Sequence, residues 1–204
     1  MNLKSSQAPE AAIRAVVQGD QRGVHEVISA AFVHHPEVAD LWAEVEDRGL
    51  ARASYVAVEH DEIVGHVGVS HAWLDARRAL VDVWMLSPLS TRPDRECRGI
   101  GTALVRTAVE ASRASGAPAL FLEGDPTFYG ARGFESASAR GFVPASARTP
   151  DLAFQVVTFE SHEEWMTGAL VYHDLWWEHD AAGLRDPRLA SLEERLGRSR
   201  THVR

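Results

Sequence analysis

Hydrophobic residues fall along this chain in short runs whose period switches between two and about 3.6 residues, the marks of half-buried strands and amphipathic helices. Residues 12–17 form an apolar run suited to a first strand, and Gly19-Asp20 supplies a turn and an N-cap for a helix reaching about Phe32. Pro36 opens a second helix with Val38, Leu41, Trp42 and Val45 on one face, ending near Gly49. Residues 54–59 and 63–74 read as a hairpin across His60-Asp61-Glu62. In its second strand Ile63, Val67, Val69, His71 and Trp73 share one parity, and His66, Gly68 and Ser70 the other. The two histidines therefore face opposite ways and cannot chelate one ion.

After a turn at 75–79, the apolar run Leu80, Val81, Val83, Trp84, Met85, Leu86 is broken by Ser87-Pro88 and resumes as Leu89-Ser90-Thr91. Pro88 has no N–H to give a ladder, so this strand carries a fault where pairing opens locally. A polar loop, 92–99, then runs into an amphipathic helix with Ile100, Ala103, Leu104, Thr107, Ala108 and Ala111 inward and Gly116 and Pro118 as its stop. Residues 119–123 form the next strand, and a strand-helix-strand unit of this kind is a right-handed crossover with parallel strands. Asp125-Pro126 caps a short helix bearing Tyr129 and ended by Gly133. Residues 136–143 and 153–158 read as the last hairpin, with 145–151 as its loop. Further on come an aromatic cluster (Tyr172, Trp176, Trp177) and a polar helix over 186–204 with Leu189, Leu192 and Leu196.

The loop before the 100–114 helix changes the picture from fold to chemistry. Gly99 and Gly101 at a helix mouth expose unpaired backbone N–H groups beside the positive end of the helix dipole, a place suited to phosphate. Arg95 and Arg98 stand ready to add charge-assisted hydrogen bonds.

At 204 residues and 45% hydrophobic composition, the chain suits one domain with an appendage. A net charge of -8 without a basic block argues against nucleic-acid binding. The single cysteine, Cys97, excludes an internal disulfide, and no run has metal-ligand spacing, so no metal is expected. The first ten residues lack a signal-peptide core and no apolar run is long enough to span a membrane, so a cytoplasmic location is expected.

Arg98-Gly99-Ile100-Gly101-Thr102-Ala103-Leu104 after a strand ending Leu89-Ser90-Thr91-Arg92-Pro93, followed by Phe128-Tyr129-Gly130-Ala131-Arg132-Gly133-Phe134, resembles the GNAT superfamily of acyl-CoA N-acyltransferases. Gly124-Asp125-Pro126-Thr127-Phe128-Tyr129 is most similar to its YhbS-like branch. The resemblance covers about residues 12–160. It implies a mixed α/β fold: a central sheet of about seven strands, splayed at a cofactor cleft and flanked by helices. The domains would be a loose leader at 1–10, the N-acetyltransferase domain at 11–160, and a C-terminal extension at 161–204, packed on the domain or at a subunit contact. The two helices after the first strand would wall the acceptor pocket. Acetyl-CoA would be the acyl donor, held by Leu89, Ser90, Thr91, Cys97, Arg98, Gly99, Ile100, Gly101, Thr102 and Asp125. Where the family has Gln or Arg in the phosphate loop, this chain has Glu96.

Acyl transfer to an amine needs a neutral amine, an oxyanion donor and a proton for the departing thiolate. The backbone N–H of Leu89, released by the Pro88 fault, suits the oxyanion. Tyr129, a phenol of pKa about 10, suits a thiolate whose conjugate acid lies near 8.5. Glu123, Asp82 and His71 all stand as candidates for the base. The expected partner is a small-molecule primary amine, without nucleic acid or membrane, for a monomer or homodimer. The competing reading is a catalytically silent acyl-CoA-binding regulatory module. A Rossmann enzyme is excluded, because the third glycine and the ribose-binding acid are missing.

Overall fold

The computed structural model describes residues 11–183 and Glu194, so the expectations for 1–10 and for the helix at 186–204 fall outside the described residues, Glu194 apart. Its first half contains β1 (Ala12–Ala15), α1 (Gln21–Ala31), α2 (Glu37–Asp47), β2 (Ala51–Glu59), β3 (Glu62–Ala76) and β4 (Leu80–Thr91). There follow α3 (Ile100–Ala114), β5 (Ala119–Glu123), α4 (Pro126–Gly130), β6 (Glu135–Ser136), β7 (Phe142–Val143), β8 (Phe154–Thr158), β9 (Gly168–Val171) and α5 (Asp174–Glu178). The strands form one mixed sheet in the order β1-β2-β3-β4-β5-β8-β6, with β9 beside the far end of β3 and β7 beside β9. Pairing is antiparallel except between β4 and β5 and between β7 and β9. No helix among the described residues is long and apolar enough to cross a membrane.

Two hydrophobic cores follow from the amphipathic helices. On one face Val24, Val27 and Ile28 of α1 and Leu41, Trp42 and Val45 of α2 pack on Val56, Leu74, Val83, Met85 and Phe121. On the other, Ile100, Leu104, Val105 and Ala108 of α3 pack on Ala57, Val67, Val69, Trp84 and Leu120. Each large aliphatic side chain so buried contributes roughly 1.5–3 kcal/mol. Asp20 stands at the N-cap of α1, but its carboxylate turns back to accept from the Val17 N–H and the Arg14 guanidinium.

The parity of β3 is interrupted once. Val58 faces Ile63 and Ala57 faces Gly65, so Val64 bulges out of the ladder and Ile63 joins the α1 and α2 side while Val67 and Val69 face α3. The two histidines remain on opposite faces: His66 packs on Trp42, and His71 on Trp73 and His173.

The fault in β4 is a second bulge. Val67 faces Leu89 and Val69 faces Leu86, leaving Ser87-Pro88, joined by a cis peptide, opposite Gly68 alone. Gly68 is required there: a Cβ would lie 2.4 Å from the Trp42 ring, which covers the bulge.

Two expectations change in the last third of the chain. Residues 136–143 do not form one strand of a hairpin. Only Glu135–Ser136 pairs with β8; a 3-10 turn, Ser138–Arg140, and Gly141 at φ 85° redirect the chain, so that Phe142–Val143 pairs with β9 instead. The physical reason is the burial of Phe142 edge-on against Phe121, which draws this segment across the end of the sheet. The extension beyond residue 160, in turn, contributes β9 to the central sheet, and α5 lies against α2 through Arg48–Glu178 and His179–Glu44 contacts.

Candidate active site

The parallel contact between β4 and β5 lasts for two register pairs, Trp84–Leu120 and Met85–Phe121. From Leu86 onward β4 holds only to β3, and a cleft of about 540 Å³ occupies the gap, within the usual range for small-molecule sites. The main-chain groups along this gap follow from register. The Arg92 N–H donates to the Val64 carbonyl at 2.9 Å, so 64/92 and 66/90 are the hydrogen-bonded pairs of the ladder, and 65/91 and 67/89 the non-bonded ones. The N–H and C=O of Leu89 and Thr91 therefore point away from β3, into the cleft, while those of Ser90 are taken by His66.

At one end of the cleft lies the mouth of α3. Gly99 caps it at φ 86°, and the first N–H with a helical partner is that of Ala103, on Gly99 O at 3.0 Å. The N–H groups of Ile100, Gly101 and Thr102 consequently have none within the helix. A Cβ on Gly99 would meet no atom within 4 Å, and one on Gly101 nothing closer than 3.5 Å, so both leave room above the backbone. These features fit a pyrophosphate. The charged residues around them are more constrained. Arg95 lines the cleft but donates to Glu59 at 3.1 Å and to Asp94 at 2.7 Å, and Asp94 is itself held below the ordinary carboxylate range by its hydrogen bond from Arg92. Arg132 lines the same end, its guanidinium 3.5 Å from the centroid of the Phe128 ring and donating to Thr102 Oγ1 at 3.2 Å. Glu96 and the exposed Cys97 also line it.

Tyr129 enters from α4. Asp125 caps that helix by accepting from the Thr127 N–H at 2.8 Å, and Pro126 starts it, so the Asp-Pro pair places the tyrosine one turn on. The ring stacks edge-on with Phe128 and Phe134 and presses on Gly124, where a Cβ would come within 2.3 Å of it. Across the cleft Glu123, the last residue of β5, accepts a hydrogen bond from the hydroxyl of Tyr172. Burial, reinforced by the Glu123 carboxylate, raises the Tyr172 phenol well above its ordinary value, so it remains a neutral donor.

Of the residues singled out in the sequence, Leu89, Thr91, Cys97, Gly99, Ile100, Gly101, Thr102, Glu123, Asp125 and Tyr129 all line this one cleft. Ser90 and Arg98 do not: the ladder turns Ser90 inward, and Arg98, just before the cap of α3, is exposed. His71 and Asp82 are likewise outside it. They sit toward the opposite end of the β3–β4 ladder, where His71 Nδ1 meets His173 Nε2 at 2.6 Å and Asp82 accepts from Arg52 at 3.1 Å; burial holds both imidazoles below their ordinary value. Among the described residues no group of three or more His, Cys, Asp and Glu could hold a metal ion.

Three residues escaped the sequence reading as parts of the site: Arg132, Tyr172 and Trp176. Arg132 lay inside the Tyr129 motif without a local signal of its own. Tyr172 and Trp176 stood out as aromatic residues one helical turn apart, but nothing local links Tyr172 to a glutamate 49 residues earlier.

A sheet splayed after a bulged strand, with a glycine helix mouth at one side and a tyrosine at the other, defines a class of acyl-transfer fold. Residues 12–137 match the acetyltransferase (GNAT) domain family, and the chain belongs to that family. It is 29% identical over 136 residues to the uncharacterized N-acetyltransferase YjhQ of Escherichia coli strain K12, covering 66% of this chain and 75% of that protein. Its fold is similar to that of the GNAT N-acetyltransferase YhbS of Escherichia coli, solved with CoA, at TM-score 0.74 and 23% identity over 84% of this chain and 94% of the other. A GNAT acetyltransferase of Brucella melitensis, solved with acetyl-CoA, gives TM-score 0.67 and 24% identity over 81% and 97%.

Proposed function

We propose that the protein is an acetyl-CoA-dependent N-acetyltransferase that acetylates a primary amine by direct transfer. The observation that carries this reading is the coincidence, in one cleft, of the free main-chain edge of Leu89 and Thr91, the glycine mouth of α3, and the Tyr129 and Glu123 side chains. YhbS and the Brucella protein, alike in fold, are bound to CoA and acetyl-CoA respectively, which supports the donor. The mouth N–H groups of Ile100, Gly101 and Thr102 would hold the pyrophosphate, and Leu89 and Thr91 would hydrogen-bond the pantetheine arm as an added strand.

The donor supplies an acyl carbon activated as a thioester. Glu123 accepts a proton from the incoming ammonium, freeing the nitrogen lone pair to form the new C–N bond. The Leu89 N–H donates to the oxyanion that develops on the carbonyl oxygen. Tyr129 donates its phenolic proton to the sulfur as the C–S bond breaks, because a phenol of pKa about 10 readily protonates a thiolate whose acid lies near 8.5. The tetrahedral nitrogen loses its second proton as the C–S bond breaks, and through solvent that proton restores the Tyr129 phenol; Glu123 releases its own proton to solvent, leaving an N-acetyl amide and free thiol.

Titration calorimetry with acetyl-CoA and thiol release on an amine panel test the reading together. Tyr129→Phe should lower kcat by about 100-fold or more while leaving acetyl-CoA affinity within about twofold. Equal effects on both, or none, would remove Tyr129 from the acid role. Binding without release in the parent protein would favour the silent acyl-CoA-binding module, a reading that Glu96 at the phosphate end keeps specific.

A further inference from the structure

Two arginines among the described residues line the cleft, and their surroundings differ. The Arg95 guanidinium is held by carboxylates, donating to Glu59 and Asp94. That of Arg132 meets neutral partners alone among the described residues. It lies over the Phe128 ring, donates from Nη1 to the Phe128 carbonyl, and donates from Nε and Nη2 to Thr102 Oγ1. A guanidinium has five N–H groups, and these three bonds leave one on Nη1 and one on Nη2. The group is fixed from two sides. The main-chain N–H of Arg132 donates to the Tyr129 carbonyl at 2.8 Å, which ties the residue to α4, and Thr102 belongs to the first turn of α3. The charge therefore stands beside the mouth where the Ile100, Gly101 and Thr102 N–H groups have no helical partner. Arg98 does not line the cleft, and Glu96 brings a negative charge to the same end.

We infer that Arg132 is the cation that binds the donor's pyrophosphate, in place of a basic residue in the 95–98 loop. The inference rests on the acetyl-CoA reading above. Main-chain N–H groups hydrogen-bond phosphate oxygens without neutralising them; a guanidinium does both, through charge-assisted bonds. The ring beneath it and its two acceptors hold the group in place before the ligand arrives, so little side-chain freedom is lost on binding. Lysine has three donors and no plane to lay on the ring, so it cannot hold both acceptors and still present two N–H groups. Arg132 thereby offsets Glu96. The segment that carries the thiolate's acid, Tyr129, also carries the charge that holds the donor's far end.

The test is titration calorimetry of the full chain with CoA and with 3′-dephospho-CoA, which keeps the pyrophosphate and lacks the other phosphate. Arg132→Gln should weaken both ligands alike, by about 30-fold. Arg132→Lys should recover only part of that loss. Raising NaCl from about 50 to about 500 mM should weaken CoA binding less in Arg132→Gln than in the parent, because one charge pair has gone. Thr102→Val, nearly isosteric on the exposed start of α3 and so able to fold should Arg132→Gln not, removes the guanidinium's acceptor and should weaken both ligands several-fold with the parent's salt dependence. Glu96→Gln should tighten CoA about threefold. Unchanged affinity in Arg132→Gln, a loss with the parent's salt dependence, or a loss confined to CoA overturns the inference and leaves the acetyltransferase reading intact; the second would make Arg132 a brace between α3 and α4, the third a ligand of the 3′-phosphate. No binding of CoA by the parent protein overturns both.

Discussion

The end of the cleft proposed for the donor takes Leu89, Thr91, Gly99, Gly101 and Thr102 from a single stretch of chain, and most of what it offers is main chain. The end proposed for the acceptor brings Phe32, Leu41, Met85, Glu123, Tyr172 and Trp176 from separate elements, and what it offers is side chain. This difference explains why one end is written in a short motif and the other is not. Main-chain recognition needs a strand interrupted by proline and a helix entered through glycine, both local properties of sequence. Side-chain recognition needs surfaces that meet only after the sheet has formed.

If the two ends are built independently, damage to one should spare the other. Gly101→Ala is the sharpest test: the added Cβ would lie in ordinary contact distance of Phe128 and Leu89, so folding should survive while the mouth is narrowed. Acetyl-CoA affinity should fall by about 30- to 100-fold with the acceptor KM unchanged at saturating donor, read by calorimetry and steady-state kinetics. A parallel loss at the acceptor end would mean that the two are coupled.

Acid should act on the α1 and α2 side first. His66, buried beneath Trp42 and hydrogen-bonded to Ser54 Oγ at 3.0 Å, is held by burial to a pKa of about 3. Its folded-state value is depressed, so the folded chain binds fewer protons than the unfolded one between about pH 6.5 and 3, and stability falls as pH drops through that window. Going from pH 7 to 5 the group withdraws about 2 kcal/mol. Urea unfolding at the two pH values should show a smaller loss in His66→Gln, by roughly that amount; the buried His71 and His173, also lowered, act in the same direction in both proteins. An identical acid loss in the variant would show that His66 is protonated in the fold.

The smallest effect is expected at the cap of α4. Asp125→Ala removes the side-chain acceptor of the Thr127 N–H there, a loss that costs about 1 kcal/mol of stability. Because α4 carries Tyr129, turnover should fall with it while the acceptor KM holds, as measured by denaturation and kinetics on the same preparation.

Local rules reached far along this chain because its turns are made by residues with few alternatives. Pro88 implied the opened strand and the structure has a bulge there; Asp125-Pro126 implied the cap of α4; Gly99 implied a helix mouth and takes a left-handed φ. Where pairing partners are distant, those rules failed. Residues 136–143 alternate well enough to suggest a strand, yet the burial of Phe142 against Phe121 divides them between two neighbours. Parity along β3 misassigned Ile63 because a bulge at Val64 leaves no mark in composition.

The order of elements, the fault in β4, the glycine mouth of α3 and the cap that presents Tyr129 all follow from the chain read in order, since each depends on backbone constraints within a few residues. The placing of Glu123 in the cleft and of His71 and Asp82 outside it, the release of Leu89 and Thr91 but not Ser90, and the use of Tyr172 and Trp176 as a wall depend on strand register and on which faces come together. Those are long-range consequences of packing two cores on one sheet, and no stretch of sequence contains them.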